Sequence, residues 1–169
     1  EGTKMFGIGG RSFTQTIATD MNLSYKDAEK LKVNIDHSNI KASVKKEVDE
    51  ALDKTLEVWI AGVELALSEF DSVDHLPNRI LLCGGGSSLE KLVEALHGTD
   101  WHKELPFTKK PTVHHINPDE VIGVADTTGD VTDHTFITAM GLLRVGYDTL
   151  IGSGNGDTIR DKFNRLLKI

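Results

Sequence analysis

The sequence predicts an α/β fold, a small sheet flanked by helices. Three observations predict it. The run Ile80–Cys83 is short and apolar, right for a strand buried on both faces, and glycines and a helical pattern follow it. A second apolar run, from Thr112 or Val113 to about Ile116, comes after that helix, so strands alternate with helices. The segment from about Ala42 to Phe70 repeats apolar residues at three- or four-residue steps without a break. A sheet of four strands is the most that the pattern supports.

Taken in order, Met5–Ile8 reads as a short strand ending at Gly9-Gly10. Phe13, Ile17 and Met21 are spaced by four, which predicts a helix from about Thr14 to Asn22. Ser24 and Asp27 form a capping box that opens the next helix, with Ala28 and Leu31 on one side and Glu29 and Lys32 on the next. Asn34–Asn39 is polar and reads as a connection. In the long helix Val44, Val48, Leu52, Leu56, Trp59, Val63, Leu67 and Phe70 make the repeat. Its second half is apolar over more of its circumference and is expected to be buried there. Asp71–Asn78, with Pro77, ends it.

The best-marked unit is Arg79–Leu96, RILLCGGGSSLEKLVEAL. Gly84, Gly85 and Gly86 form a turn bare of side chains, which lets a ligand approach the backbone closely. Ser87 and Glu90 read as a capping box, and the helix N–H groups behind it favour polar or anionic ligand atoms. Leu89, Leu92, Val93 and Leu96 give that helix one apolar face. The same glycines serve equally as a tight turn and nothing more. His97–Lys110 reads as a surface connection. Val121–Val124 reads as another short strand, and Phe136–Leu150 as a core helix with Met140, Leu143 and Tyr147 on one side.

The bulk numbers bound the function. A chain of 169 residues, 38% hydrophobic and 27% charged, can form one domain or two small lobes. A net charge of −7 disfavours a nucleic-acid surface, which needs clustered cations. The lone cysteine, Cys83, excludes an intrachain disulfide and fits a cytosolic setting. No apolar run is long enough to span a bilayer. The opening Glu1-Gly2-Thr3 reads as a cut end, so the chain is expected to be a piece of something longer.

Four stretches, in this order, resemble one half of the actin-like ATPases, a ribonuclease H-like fold. GIGGRSFTQTIATDM (7–21) is similar to the "GG..(I/F)T..IA" stretch of the cell-division FtsA and pilus PilM families. AEKLK (28–32) is similar to their "AE.(I/L)K" motif. ILLCGGGSSLEKLVEAL (80–96) resembles their adenosine-side glycine turn, and ITAMGLLRVGYD (137–148) their closing helix. The resemblance leans to FtsA. It implies that residues 1–151 are the second lobe of a nucleotide-binding domain, with a reduced helical outer subdomain at about 12–40. It implies that ATP lies between two lobes, with Glu29 and Lys32 meeting the adenosine, Gly84, Gly85 and Gly86 passing under base and ribose, and Ser87 touching the sugar. Without the resemblance, Glu29 and Lys32 read first as an i, i+3 ion pair on a solvated helix face.

The family's two phosphate-gripping loops belong upstream of Gly7, as do the residues for Mg2+ and the attacking water. This chain alone is therefore not expected to hydrolyse ATP. The implied function is that of a bacterial cell-division cytoskeletal adaptor, cytoplasmic, which binds ATP and assembles with copies of itself. Two alternatives stand beside it: a PilM-like pilus-assembly scaffold that binds a partner peptide, and the C-terminal lobe of a superfamily kinase.

Other patterns compete. VIGVADTTGDVT (121–132) copies a phosphate loop superficially but lacks a glycine close after Asp126. Asp126, Asp130 and Asp133 do not match the spacing of an EF-hand. His114 and His115 are neighbours on a strand and point to opposite faces, so they do not chelate one metal together. After a flexible linker at 152–158, Ile159, Phe163, Leu166 and Leu167 fall at i, i+4, i+7 and i+8, among Arg160, Lys162, Arg165 and Lys168. This basic amphipathic stretch suits an anionic membrane surface, as in FtsA-like proteins, or docking back on the lobe.

Overall fold

The computed structural model describes residues 2–35, 40–71, 73–98 and 100–151, with backbone alone at 150 and 151. The predicted linker and the stretch with Ile159, Phe163, Leu166 and Leu167 lie outside the described residues. The elements are helices α1 (Gly10–Asp20), α2 (Tyr25–Val33), α3 (Ala42–Ser68), α4 (Glu90–Gly98) and α5 (Ile137–Ile151), and strands β1 (Arg79–Leu82) and β2 (Thr112–His115). The chain divides into two compact units. The first is Glu1–Ile80 with Leu89–Val113, and the second is Leu81–Ser88 with His114–Ile169.

The first unit is built on α1. Phe13 and Ile17 lie one turn apart and are fully buried with Val48 and Leu52 of α3. Ala28 closes the core from α2. Asn22 ends α1 in the left-handed region, at φ 52°, a conformation that asparagine tolerates better than most residues. Leu23 N–H then donates to Ala18 O at 2.9 Å and Asn22 N–H to Thr19 O at 3.3 Å, the paired bonds of a Schellman motif. Ser24 caps α2 as predicted, accepting from Asp27 N–H at 3.2 Å. Lys91 ties α4 to α3 through Asp53 at 2.5 Å and Asp49 at 3.5 Å. Trp101 is buried past the end of α4 and donates its indole N–H to Leu96 O at 3.0 Å.

Several sequence expectations change here. Met5–Ile8 is not a strand. It is an irregular segment against α3, with Phe6 tilted against Trp59 and close over Gly62, and Lys4 paired with Glu69. The buried residues of α3 lie in its first half, Val48 to Leu56, whereas Val58 and Leu65 in the apolar second half are exposed. The third change is the sheet, which among the described residues has two strands rather than four.

Those strands run parallel. Thr112 N–H donates to Asn78 O in the first unit and Ile116 N–H to Leu82 O in the second, a constant offset of 34 residues (112 − 78 and 116 − 82). β1 is not covered on both faces. Ile80 and Leu82 are half-buried, but Leu81 is 42% exposed. In the second unit Val121–Val124 is a turn, with Ile122 almost fully exposed, because no ladder partner takes it up. Of the predicted core side of α5 only Met140 is buried, joined by Ile137, while Leu143 and Tyr147 are exposed.

Replacing Ile17 with alanine removes a fully buried side chain from the α1–α3 contact. The expected loss is about 2–5 kcal/mol in urea unfolding followed by far-UV circular dichroism.

Candidate functional site

The Glu29–Lys32 pair belongs to the first unit, and its geometry follows from helix spacing. Three residues apart on α2, the side chains share one face, and that face meets the first turn of α1. Lys32 Nζ donates to Glu29 Oε2 at 2.9 Å, to Thr14 Oγ1 at 2.8 Å and to Gly10 O at 3.0 Å. An ammonium has three protons, and these three acceptors use them all. The Thr14 hydroxyl also donates to Glu29 Oε2. That bond is the largest influence on Glu29 and holds its carboxyl below the ordinary value of 4.5, against burial and together with Lys32. The side chains differ in access: Lys32 keeps 13% of its surface and Glu29 41%. The pair is thus a half-buried clamp between α2 and α1 rather than a solvated surface pair. A ligand oxygen gains a Lys32 proton only by displacing one of these acceptors, whereas the Glu29 carboxylate still faces solvent.

The glycine turn belongs to the second unit. Gly84 has φ +82°, so glycine is required there by the backbone. Its N–H donates to His134 O at 3.0 Å, and its carbonyl accepts from Ser87 N–H at 3.1 Å and Ser87 Oγ at 2.7 Å. Gly85 differs. Its φ is ordinary, and a Cβ built on it meets nothing within 4 Å. The turn itself therefore does not demand glycine at 85, and the space above it is open. Gly86 and Ser87 continue as a turn of 3-10 helix, Gly85–Ser88. Ser87 does not cap α4 with Glu90 as the sequence suggested. Its hydroxyl is buried and points back to Gly84, because the 3-10 turn curls the chain before α4 begins at Glu90.

Sequence reasoning missed the neighbours of this turn. Ser88 Oγ lies 3.0 Å from His134 Nε2, and His134 stacks on His115 with ring centroids 3.9 Å apart. His115 Nε2 in turn lies 2.8 Å from Ser87 O. Burial first, and the neighbouring His115 second, hold His134 below its ordinary value of 6.5, with Asp133 opposing. His134 is 46 residues from Ser88, and no local pattern signals that pairing. The acidic loop explains itself. Asp126 accepts from Thr128 N–H, Thr128 Oγ1, Gly129 N–H and Val131 N–H, which takes its carboxyl down to about 2. It is a turn closed on its own backbone.

A scan against protein-family models finds no match, and neither does a search of the curated proteins. The expected site residues therefore stand on chemistry and geometry alone. Glu29 and Lys32 are brought together in one unit, and Gly84, Gly85, Gly86 and Ser87 form one turn in the other.

Two outcomes check this geometry. Gly84→Ala forces a Cβ into the left-handed region and is expected to cost roughly 1–2 kcal/mol, while Gly85→Ala stays within about 0.5 kcal/mol, both read by denaturant unfolding. The lowered His134 makes the unfolded chain bind the extra proton first. Its contribution is complete above the ordinary value of 6.5 and is lost as pH falls from there through the lowered value. Thermal melts from pH 8 to 5 should show that decline, and His134→Gln should flatten it.

Proposed function

We propose that this chain is the nucleoside-holding second lobe of an actin-like, FtsA-type protein, an ATP-binding cytoskeletal adaptor in bacterial cell division. The observation that carries the reading is the turn after β1, where Gly84 is fixed by its backbone and Gly85 leaves open space that the fold does not need. A strand, a bare turn and a helix leading to a parallel neighbour form the unit on which nucleotides rest in many α/β folds. A flat base fits where no side chain projects. The phosphates and their Mg2+ would be held by residues outside this chain. The uncovered face of β1 agrees with a lobe that packs against further protein, since parallel sheets are normally covered on both sides.

The test is a titration of the chain with adenosine and with ATP, followed by NMR line broadening. Both are expected to bind weakly and about equally, because the phosphates meet no dedicated loop here. Gly85→Leu should weaken adenosine binding by about tenfold while leaving the melting temperature nearly unchanged. Absence of adenosine binding, or indifference to Gly85→Leu, discards the reading.

A further inference from the structure

α5 carries an apolar stripe that nothing described covers. Ala139, Leu142, Leu143 and Gly146 fall at i, i+3, i+4 and i+7, the spacing by which a helix seats against a partner helix. Leu142 is 69% and Leu143 66% exposed, and Val145 and Tyr147 widen the band on either side. Ala139 and Gly146 flank the two leucines with small residues, so a second helix can approach closely between the ridges. A band of this kind in water calls for an occupant.

We infer that the occupant is the chain's own segment 159–169, folded back on α5 as the second arm of a helical hairpin. Three features point to it. The segment follows α5 after only the linker 152–158, a length within the range that joins antiparallel helices. Its apolar residues Ile159, Phe163, Leu166 and Leu167 repeat on one helical face, as the α5 stripe does. Its charge is opposite to that of the unit that carries α5. Arg160, Lys162, Arg165 and Lys168 outnumber Asp157 and Asp161. Residues 114–151 carry six carboxylates and one lysine or arginine, Arg144, which pairs with Asp148 at 2.8 Å. Docking of this kind does not depend on a nucleotide. It gives the segment a resting place in which the face suited to a lipid surface is turned inward.

Hydrogen exchange on the full chain tests it. A free helix of this length is marginal in water, so lasting protection of amides 159–169 means docking. In the monomeric wild type those amides are expected to be protected at least about tenfold. The Phe163→Asp/Leu167→Asp pair should speed exchange in 139–149, and Leu143→Asp, at an exposed position outside the core, should release 159–169. Unprotected amides in 159–169 overturn the inference. So does protection that grows with protein concentration alongside a dimer in sedimentation, which assigns the stripe to a second copy. Protection that arises only on adding anionic phosphatidylglycerol vesicles also overturns it.

Discussion

The ammonium of Lys32 is the constraint on which the first unit turns. A charge this far from water is tolerated only when its hydrogen-bonding capacity is met. Here a carboxylate, a hydroxyl and a main-chain carbonyl meet it together. Those acceptors come from two helices, so satisfying one side chain fixes the placement of α2 on the opening turn of α1. α1 in turn presents Phe13 and Ile17 to α3 and sets the core. The polar clamp ties α2 to α1, and the apolar contact supplies most of the free energy.

What was legible in the sequence was local. The cap at Ser24, the periodicity of α1 and α3 and the strand–glycine–helix order all depend on neighbours within a few residues. What was not legible depended on partners far along the chain. Met5–Ile8 and Val121–Val124 are apolar enough for strands, but a strand exists only where a ladder partner accepts it. The first lies instead against Trp59 and Gly62. Ser87 and Glu90 matched a capping pattern, but the preceding glycines allowed a 3-10 turn that sends the hydroxyl elsewhere. The Glu29–Lys32 spacing announced an ion pair. That it would also enlist Thr14 and Gly10 could not be read from α2 alone. The stack of His115 on His134 is likewise invisible in the sequence, since His115 reads as a strand residue and His134 belongs to no motif.

Apolar surface is distributed unevenly. The second half of α3, the outer face of β1 and most of α5 are richer in large apolar side chains than their exposure warrants. The apolar circumference of α3 reflects a real demand for burial, yet within the described residues the N-terminal segment meets only part of it. Such faces mark where a fold is prepared to receive further protein.

Cys83 sits at the end of β1, immediately before the left-handed glycine, and its side chain reaches solvent. As the lone thiol in the chain it is a chemically unique handle beside the bare turn. A maleimide fluorophore placed there would report occupancy or movement of that turn directly, with the native sequence otherwise intact.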